Sequence, residues 1–308
     1  LRTLYLHHSA FLDHQTPAGH PERPDRMRAV EQAMEAEEFQ HLIREQSPMA
    51  EVAQIERAHP DAYVEAIREA VPSEGLVGID GDTVLSKGSW EAGMRASGAA
   101  CHAIDEVMAG KVDNAFCAHR PPGHHAEVAT AMGFCFFNHV AVAARHAQAV
   151  HGLERVAIVD FDVHHGNGTQ DIFWSDPNVL YASTHQMPLF PGTGAARERG
   201  VGNIFNAPLS PGDGSDAFRE AMETVILPSI DNFRPDIILI SAGFDAHHRD
   251  PLASLQLVEQ DYGWITRKLM EKADGYAKGR LVSMLEGGYD LTGLSKSVTH
   301  HVRALMGE

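Results

Sequence analysis

Cysteine is scarce in this 308-residue chain, and basic residues are few beside the acidic ones. The three cysteines, Cys101, Cys117 and Cys135, are odd in number, form no CxxC pair and sit in apolar or aromatic surroundings. This argues against a disulfide framework. Reduced, buried thiols in a cytoplasmic protein are the simplest expectation. Lys and Arg total 25 against 42 Asp and Glu, a formal charge of −17. Nonspecific nucleic-acid binding needs clustered Lys and Arg, so no nucleic-acid partner is expected. No apolar run approaches the length of a membrane span, so no membrane partner is expected either. No signal peptide is visible, although a start at Leu1 rather than Met leaves a removed segment open. Repeats, low-complexity tracts and Pro/Ser-rich linkers are also missing, which makes residues 1–308 a single domain.

What the chain has is alternation. Apolar runs at Thr3–His7, Asn114–Ala118, Val156–Phe161, Val179–Ser183, Ile237–Ser241 and Leu281–Leu285 read as strands. Helical patterns occupy Arg23–Glu37, Asp61–Ala70, Ser89–Met108, Asn138–His151, Asp216–Asp231, Leu257–Ala273 and Leu291–Met306. Strands alternating with helices predict a mostly parallel sheet covered on both faces, a three-layer α/β/α sandwich. Ligands of such sheets bind beyond the carboxyl ends of the strands.

Chemistry-bearing residues collect at those ends. After Val156–Val159 come Asp160, Asp162 and His164, spaced by two, so their side chains share one face of an extended backbone. Carboxylate and imidazole on one face suit a catalytic divalent metal. A second strand delivers Asp245, with Asp250 five residues on; spacing alone does not choose between them. The loop His119–Met132 holds the adjacent pair His124 and His125, and the strand Leu281–Leu285 runs into Glu286-Gly287-Gly288-Tyr289. Paired histidines can divide general-base and general-acid work, and a tyrosine hydroxyl can donate to a developing oxyanion.

These motifs carry a resemblance. Arg120–His125, Gly133-Phe134-Cys135, Asp160–Gly168, Phe190–Gly194, Gly243–Asp245 and Glu286–Tyr289 match, in content and order, the zinc-dependent deacetylases of the histone deacetylase superfamily. The resemblance runs from Gly19-His20-Pro21-Glu22 to Tyr289 and is similar to the class II and bacterial amidohydrolase members. It implies the arginase-like fold and one zinc per chain, bound by Asp162, His164 and Asp245. It implies His124 and His125 as the acid/base pair, with Asp160 behind the first and Asn167 behind the second, and Tyr289 as the catalytic tyrosine. Asn167 stands where class I enzymes commonly place an aspartate. Gly133, Phe134, Phe190 and Leu252 would line an acyl-lysine tunnel, and Asp82 would sit at its rim. A structural potassium is implied at Asp160, Asp162, His164, Ser183 and Thr184, and a second cation near Phe173 and Val179.

The implied reaction is hydrolysis of N-acetyl or N-acyl amides, of an acetylated lysine peptide or protein or of an acetylated small amine. The alternatives are an acetylpolyamine deacetylase and a non-catalytic acyl-ligand binding module. Iron(II) competes with zinc for such a ligand set, and a homo-oligomer stays open. Other histidine pairs read as bland: His300-His301 as a solvated helix face, His7-His8 as structural, and His247-His248 as unassigned neighbours of the pocket mouth. Asp250 reads as the acceptor of a loop hydrogen bond.

Overall fold

The computed structural model describes residues 1–308. Eight strands form one sheet: β1 (Thr3–His7), β2 (Ile43–Gln46), β5 (Asn114–Cys117), β6 (Val156–Asp160), β7 (Val179–Gln186), β8 (Ile204–Leu209), β9 (Ile237–Ala242) and β10 (Leu281–Leu285), with β3 (Leu76–Gly78) and β4 (Val84–Ser86) as a separate hairpin. The order is β2-β1-β5-β10-β9-β6-β7-β8, and every pairing is parallel. All eight carboxyl ends therefore share one edge, as the alternation predicts.

The helices are α1 (Asp25–Met34), α2 (Val52–Glu56), α3 (Asp61–Ala70), α4 (Ser89–Met108), α5 (His139–His151), α6 (Asn167–Phe173), α7 (Ser215–Ala221), α8 (Leu227–Phe233), α9 (Glu259–Tyr276) and α10 (Leu291–Leu305). Alternation along each strand feeds two cores. In β6, Val156 and Ile158 belong to the same core as Val140 of α5 and Met94 of α4, while Ala157 and Val159 belong to the core on the other face with Ile230, Leu269 and Val298. Local signals set the helix ends. Asn138 accepts a hydrogen bond from Ala141 N to start α5, and Gly152 ends it at φ 65°. Gly98 of α4 lies against the backbone of Pro48, where a Cβ has no room. No helix is long and apolar enough to cross a membrane. The three cysteines are free and buried.

The sequence missed the edges. β2 (Ile-Arg-Glu-Gln) and β8, which carries Asn206 and Pro208, are the two outermost strands of the sheet. An edge strand pairs on one side only and tolerates charge and proline, so its apolar signal is weak. The helix expected over Asp216–Asp231 is α7 and α8 joined by a π-turn at Met222–Ile226. Pro228 follows that turn and has no N–H to return to the preceding turn.

The reading of His300-His301 as a solvated face is overturned for His301. It is fully buried, with Nδ1 2.6 Å from Thr266 Oγ1 and Nε2 2.7 Å from Ser283 Oγ. The stripe Leu294, Val298, His301, Val302, Leu305 follows helical spacing and carries the signal. Burial pushes the His301 imidazole down to about 3. His14 also falls to about 3, by burial and the nearby Arg120, and His139 to about 4, by burial.

A folded value below the unfolded one means that the unfolded chain binds more protons in between. The stability is complete above the ordinary histidine value and is lost as the pH falls below it. Each such imidazole costs about 2 kcal/mol between about pH 7.5 and about pH 5. Thermal unfolding of wild type and His301→Gln at those two values tests this. The variant is expected to lose less stability on acidification, and an unchanged pH dependence would show that His301 carries none of it.

Candidate active site

Past β6 the chain bends through Asp162–His164 instead of staying extended, with Asp162 N donating to Asp160 Oδ1 at 3.1 Å and His164 N to Asp162 Oδ1 at 2.9 Å. Asp162 and His164 therefore meet at one point, while Asp160 faces the histidine loop instead of sharing their face as expected. β9 delivers Asp245 to the same point. The ligating atoms of Asp162, His164 and Asp245 lie within 4.8 Å of one another, all in buried residues. His164 Nδ1 is 3.0 Å from Asp245 Oδ2 and 3.4 Å from Asp162 Oδ1. Backbone donors fix the outer carboxylate oxygens. Asp162 Oδ2 accepts from Gly287 N at 2.8 Å, and Asp245 Oδ1 accepts from Val163 N at 2.8 Å. The inner oxygens are left facing the imidazole. Gly243 and Gly287 permit this packing, because a Cβ on either would fall on these carboxylates.

The electrostatics ask for a cation. Burial and the adjacent Asp162 push the Asp245 carboxyl up to about 6. Burial opposes charge on His164, yet Asp162 and Asp245 outweigh it and raise the imidazole to about 10. Two buried carboxylates and one imidazole holding a proton between them form a donor set that a divalent metal fits in the proton's place.

The histidine pair stands beside this cluster, with ring centroids 4.1 Å apart. His124 Nδ1 meets Asp160 Oδ2 at 2.8 Å, and the same oxygen accepts Tyr181 OH at 2.8 Å. His125 Nδ1 meets Asn167 Oδ1 at 2.8 Å. A carboxylate behind one ring and an amide behind the other split their behaviour. Burial disfavours charge on His124, but Asp160, Asp162 and Glu286 overcome it and hold the ring well above its ordinary value. Burial, His124 and His164 hold His125 well below.

A cavity of about 400 Å³ leads to this floor. Its walls include Phe134 and Phe190, with Gly133, Leu189 and Leu252, and it ends on His125, His164 and Tyr289. Asp82, His20 and Pro21 complete the lining. Phe134 adopts φ 73°, a left-handed conformation rare for a bulky residue, and its N–H donates to Thr83 Oγ1 at 3.1 Å. Its ring meets Tyr289 at 5.8 Å and His20 at 4.8 Å, edge on. Phe190 faces His125 at 5.2 Å. The residues expected at the tunnel and rim are thus together in one cleft. Ser183 and Thr184 lie one strand over, with Ser183 paired to Asp160 in the sheet register.

A family model for the histone deacetylase domain matches residues 20–305. The chain belongs to the histone deacetylase family. It is 40% identical to histone deacetylase 14, chloroplastic, of Arabidopsis thaliana over 97% of this chain and 76% of that one. It is 41% identical to a histone deacetylase-like amidohydrolase of Pseudomonas aeruginosa over 88% of this chain and 73% of that one. The crystal structure of the HDA15 HD domain matches with a TM-score of 0.94 at 36% identity, covering 100% of this chain and 90% of that one. Fold and family together identify a metal-dependent hydrolase of the deacetylase and amidohydrolase type, on the arginase-like α/β sandwich.

Several supports of this deacetylase cleft escape a reading of motifs. Arg26, fully buried, donates from Nε to Gly288 O at 2.7 Å and from Nη2 to Glu286 O at 2.6 Å. Its guanidinium stands 4.9 Å from the centroid of the Tyr289 ring. Glu22 pairs with Arg26 at 2.8 Å and with Arg120 at 2.9 Å. Glu22 and Arg120 fall within segments that carried the resemblance, whereas Arg26, four residues after Glu22 and within α1, had no motif of its own. Glu286 receives Gly123 N and His124 N on one oxygen and Ser241 Oγ on the other, which fixes the histidine loop. Asp250, the rival of Asp245, stays out of the ligand cluster. Its two oxygens accept from Leu252 N at 2.9 Å and Tyr289 N at 2.8 Å. His247, unassigned from sequence, is buried and bonds Glu259 at 2.8 Å.

Gly243→Ala displaces the Asp162 carboxylate and is expected to weaken metal affinity by about 10–100-fold, the usual range for damage to a ligand's support. Competition with a chromogenic chelator measures it, and an affinity equal to wild type would mean that Asp162 does not hold the metal.

Proposed function

We propose that this chain is a zinc-dependent deacetylase that hydrolyses N-acetyl and related short-acyl amides of lysine side chains, releasing the carboxylate and the free amine. The observation that carries this reading is the aromatic-walled cleft that ends on His125, Tyr289 and His164, the last of these part of the buried Asp162–His164–Asp245 cluster. Asp162, His164 and Asp245 would hold the zinc. When bound there, zinc supplies Lewis acidity, polarising a carbonyl and making water a competent nucleophile at neutral pH.

The chain's own residues do the rest. Phe134 and Phe190 bury the aliphatic stem of a lysine and exclude water from the floor. His125, kept neutral by burial and by its charged neighbour, is suited to take the proton of the attacking water. It then returns that proton to the leaving nitrogen, so that water and amide become carboxylate and amine. His124, held charged by Asp160, contributes fixed positive charge beside the developing oxyanion. Tyr289 donates its hydroxyl to that oxyanion. Burial raises the Tyr289 phenol well above its ordinary value, so it stays protonated. Arg26 and Asp250 anchor the loop that presents it.

A potassium ion is proposed below the cleft. The carbonyls of Asp162 and His164 lie in buried residues and meet no protein donor, and the Ser183 hydroxyl and Asp160 are on the adjoining strands. These oxygens, with Thr184, would hold it. Phe173 and Val179 are both buried, and a second cation beside them remains part of the same proposal.

The cleft mouth favours a peptide over a polyamine. Leu189 and Leu252 are apolar, and Asp82 is the one carboxylate among the lining residues. Charge attraction for a polycationic tail is correspondingly slight. The expected result is faster release of amine from acetyl-lysine peptides than from acetylputrescine by zinc-loaded protein, with Tyr289→Phe slower by about two to three orders of magnitude. Turnover of acetylputrescine alone would move the activity to small amines. Tight acyl-ligand binding without turnover would leave a binding module.

A further inference from the structure

Away from the cleft, a second set of metal-ligating atoms converges between α4 and α5. Asp105 lies in the last turn of α4, and His146 and His151 lie in the last turns of α5. Nε2 of His146 and Nε2 of His151 each stand 2.7 Å from one and the same oxygen, Asp105 Oδ1. The two rings meet edge to face with centroids 5.7 Å apart. All three ligating atoms fall within 4.8 Å of one another. Both helices run antiparallel to the strands that follow them. The cluster therefore sits at the amino-terminal edge of the sheet, the edge opposite the cleft.

Two observations separate this group from ordinary surface ion pairing. Two imidazoles from different turns of α5 bring their Nε2 atoms to one carboxylate of α4, so both nitrogens and the oxygen converge on a common point. The side chains are also graded in exposure: His146 4%, His151 21% and Asp105 44%. Protein closes one side, and the other is open to water. Two imidazoles and a carboxylate, with room for water, are a donor set for a first-row divalent ion. The neighbouring group of Glu45, His102 and Glu106 differs. It has a single imidazole, paired to Glu45 at 2.6 Å, and is accounted for by that pair.

Arg57 works against the ion. Its Nη1 lies 3.3 Å from His146 Nδ1. When Nε2 of His146 binds a metal, Nδ1 carries the ring proton, and the exposed Arg57 side chain has to swing away. Occupancy therefore depends on metal supply.

We propose that Asp105, His146 and His151 bind a second divalent cation, zinc or a neighbouring first-row metal, as a brace between α4 and α5. The site is separate from the cleft cluster in both residues and location. Asn138, which starts α5, also holds Ala126 O and Thr169 Oγ1 beside the histidine loop. The brace thus fixes the far end of the helix whose near end supports that loop.

The test is metal content per chain after dialysis against buffered free zinc. Wild type is expected to hold two ions, and His151→Ala and Asp245→Asn one each. His151 is the last residue of its helix and is partly exposed, so its replacement leaves the fold intact. His151→Ala is also expected to keep wild-type turnover on an acetyl-lysine peptide and to lose part of the zinc-dependent rise in Tm. Equal metal content in wild type and His151→Ala would overturn the proposal. Equal content in wild type and Asp245→Asn would instead count against the cleft cluster and leave the brace standing.

Discussion

Negative charge buried at the carboxyl edge of the sheet organises this protein. Asp160, Asp162, Asp245 and Glu286 all lie within the fold beneath the cleft, with Glu22 behind them. A carboxylate out of water is costly unless each oxygen finds a donor or a cation. The surroundings answer that demand atom by atom. Backbone N–H groups of Val163, Gly287, Gly123 and His124 take oxygens of Asp245, Asp162 and Glu286. Arg26 and Arg120 take Glu22. The cleft imidazoles take what remains, and the glycines at 243 and 287 let the backbone come close enough to donate.

The same logic explains why two adjacent histidines behave differently. They are neighbours in sequence with rings 4.1 Å apart, so two positive charges there would repel. Asp160 behind His124 and Asn167 behind His125 settle which ring is charged. The asymmetry comes from what stands behind each ring, and it prepares one imidazole to accept a proton while the other supplies a fixed charge.

The cluster was legible in the sequence where chemistry is written on contiguous strand ends. Asp160, Asp162 and His164 alternate in sequence at the end of an apolar strand, and the His124–His125 and Gly287–Tyr289 segments each follow an apolar strand. The parallel sheet was legible too, because its central strands are nearly continuous apolar runs. Other parts depend on partners remote in sequence. Arg26 acts on Gly288 and Glu286, some 260 residues away, as its hydrogen bonds record. Asp245 and Asp250 are chemically alike, and only the fold sends one to the ligand cluster and the other to the N–H of Tyr289. His301 looked solvated as one of a pair, although its phase with Leu294 and Val298 placed it inside. The edge strands β2 and β8 were invisible because β2 alternates half-buried and exposed, mostly polar residues and Asn206 and Pro208 interrupt the apolar run of β8.

The all-parallel arrangement divides the molecule's two rims. Every strand ends at the cleft edge, and the loops after the central strands share a crowded floor and must respect their neighbours' geometry. Turns at the opposite rim join helix ends to strand starts and meet none of that floor. Lengthening a loop at the far rim adds only slowly growing closure entropy, whereas one extra residue beside the cleft would shift a ligand or a wall. The fold therefore separates a rim where sequence is constrained by reactivity from one free to acquire attachments, braces or new surfaces without a toll on turnover.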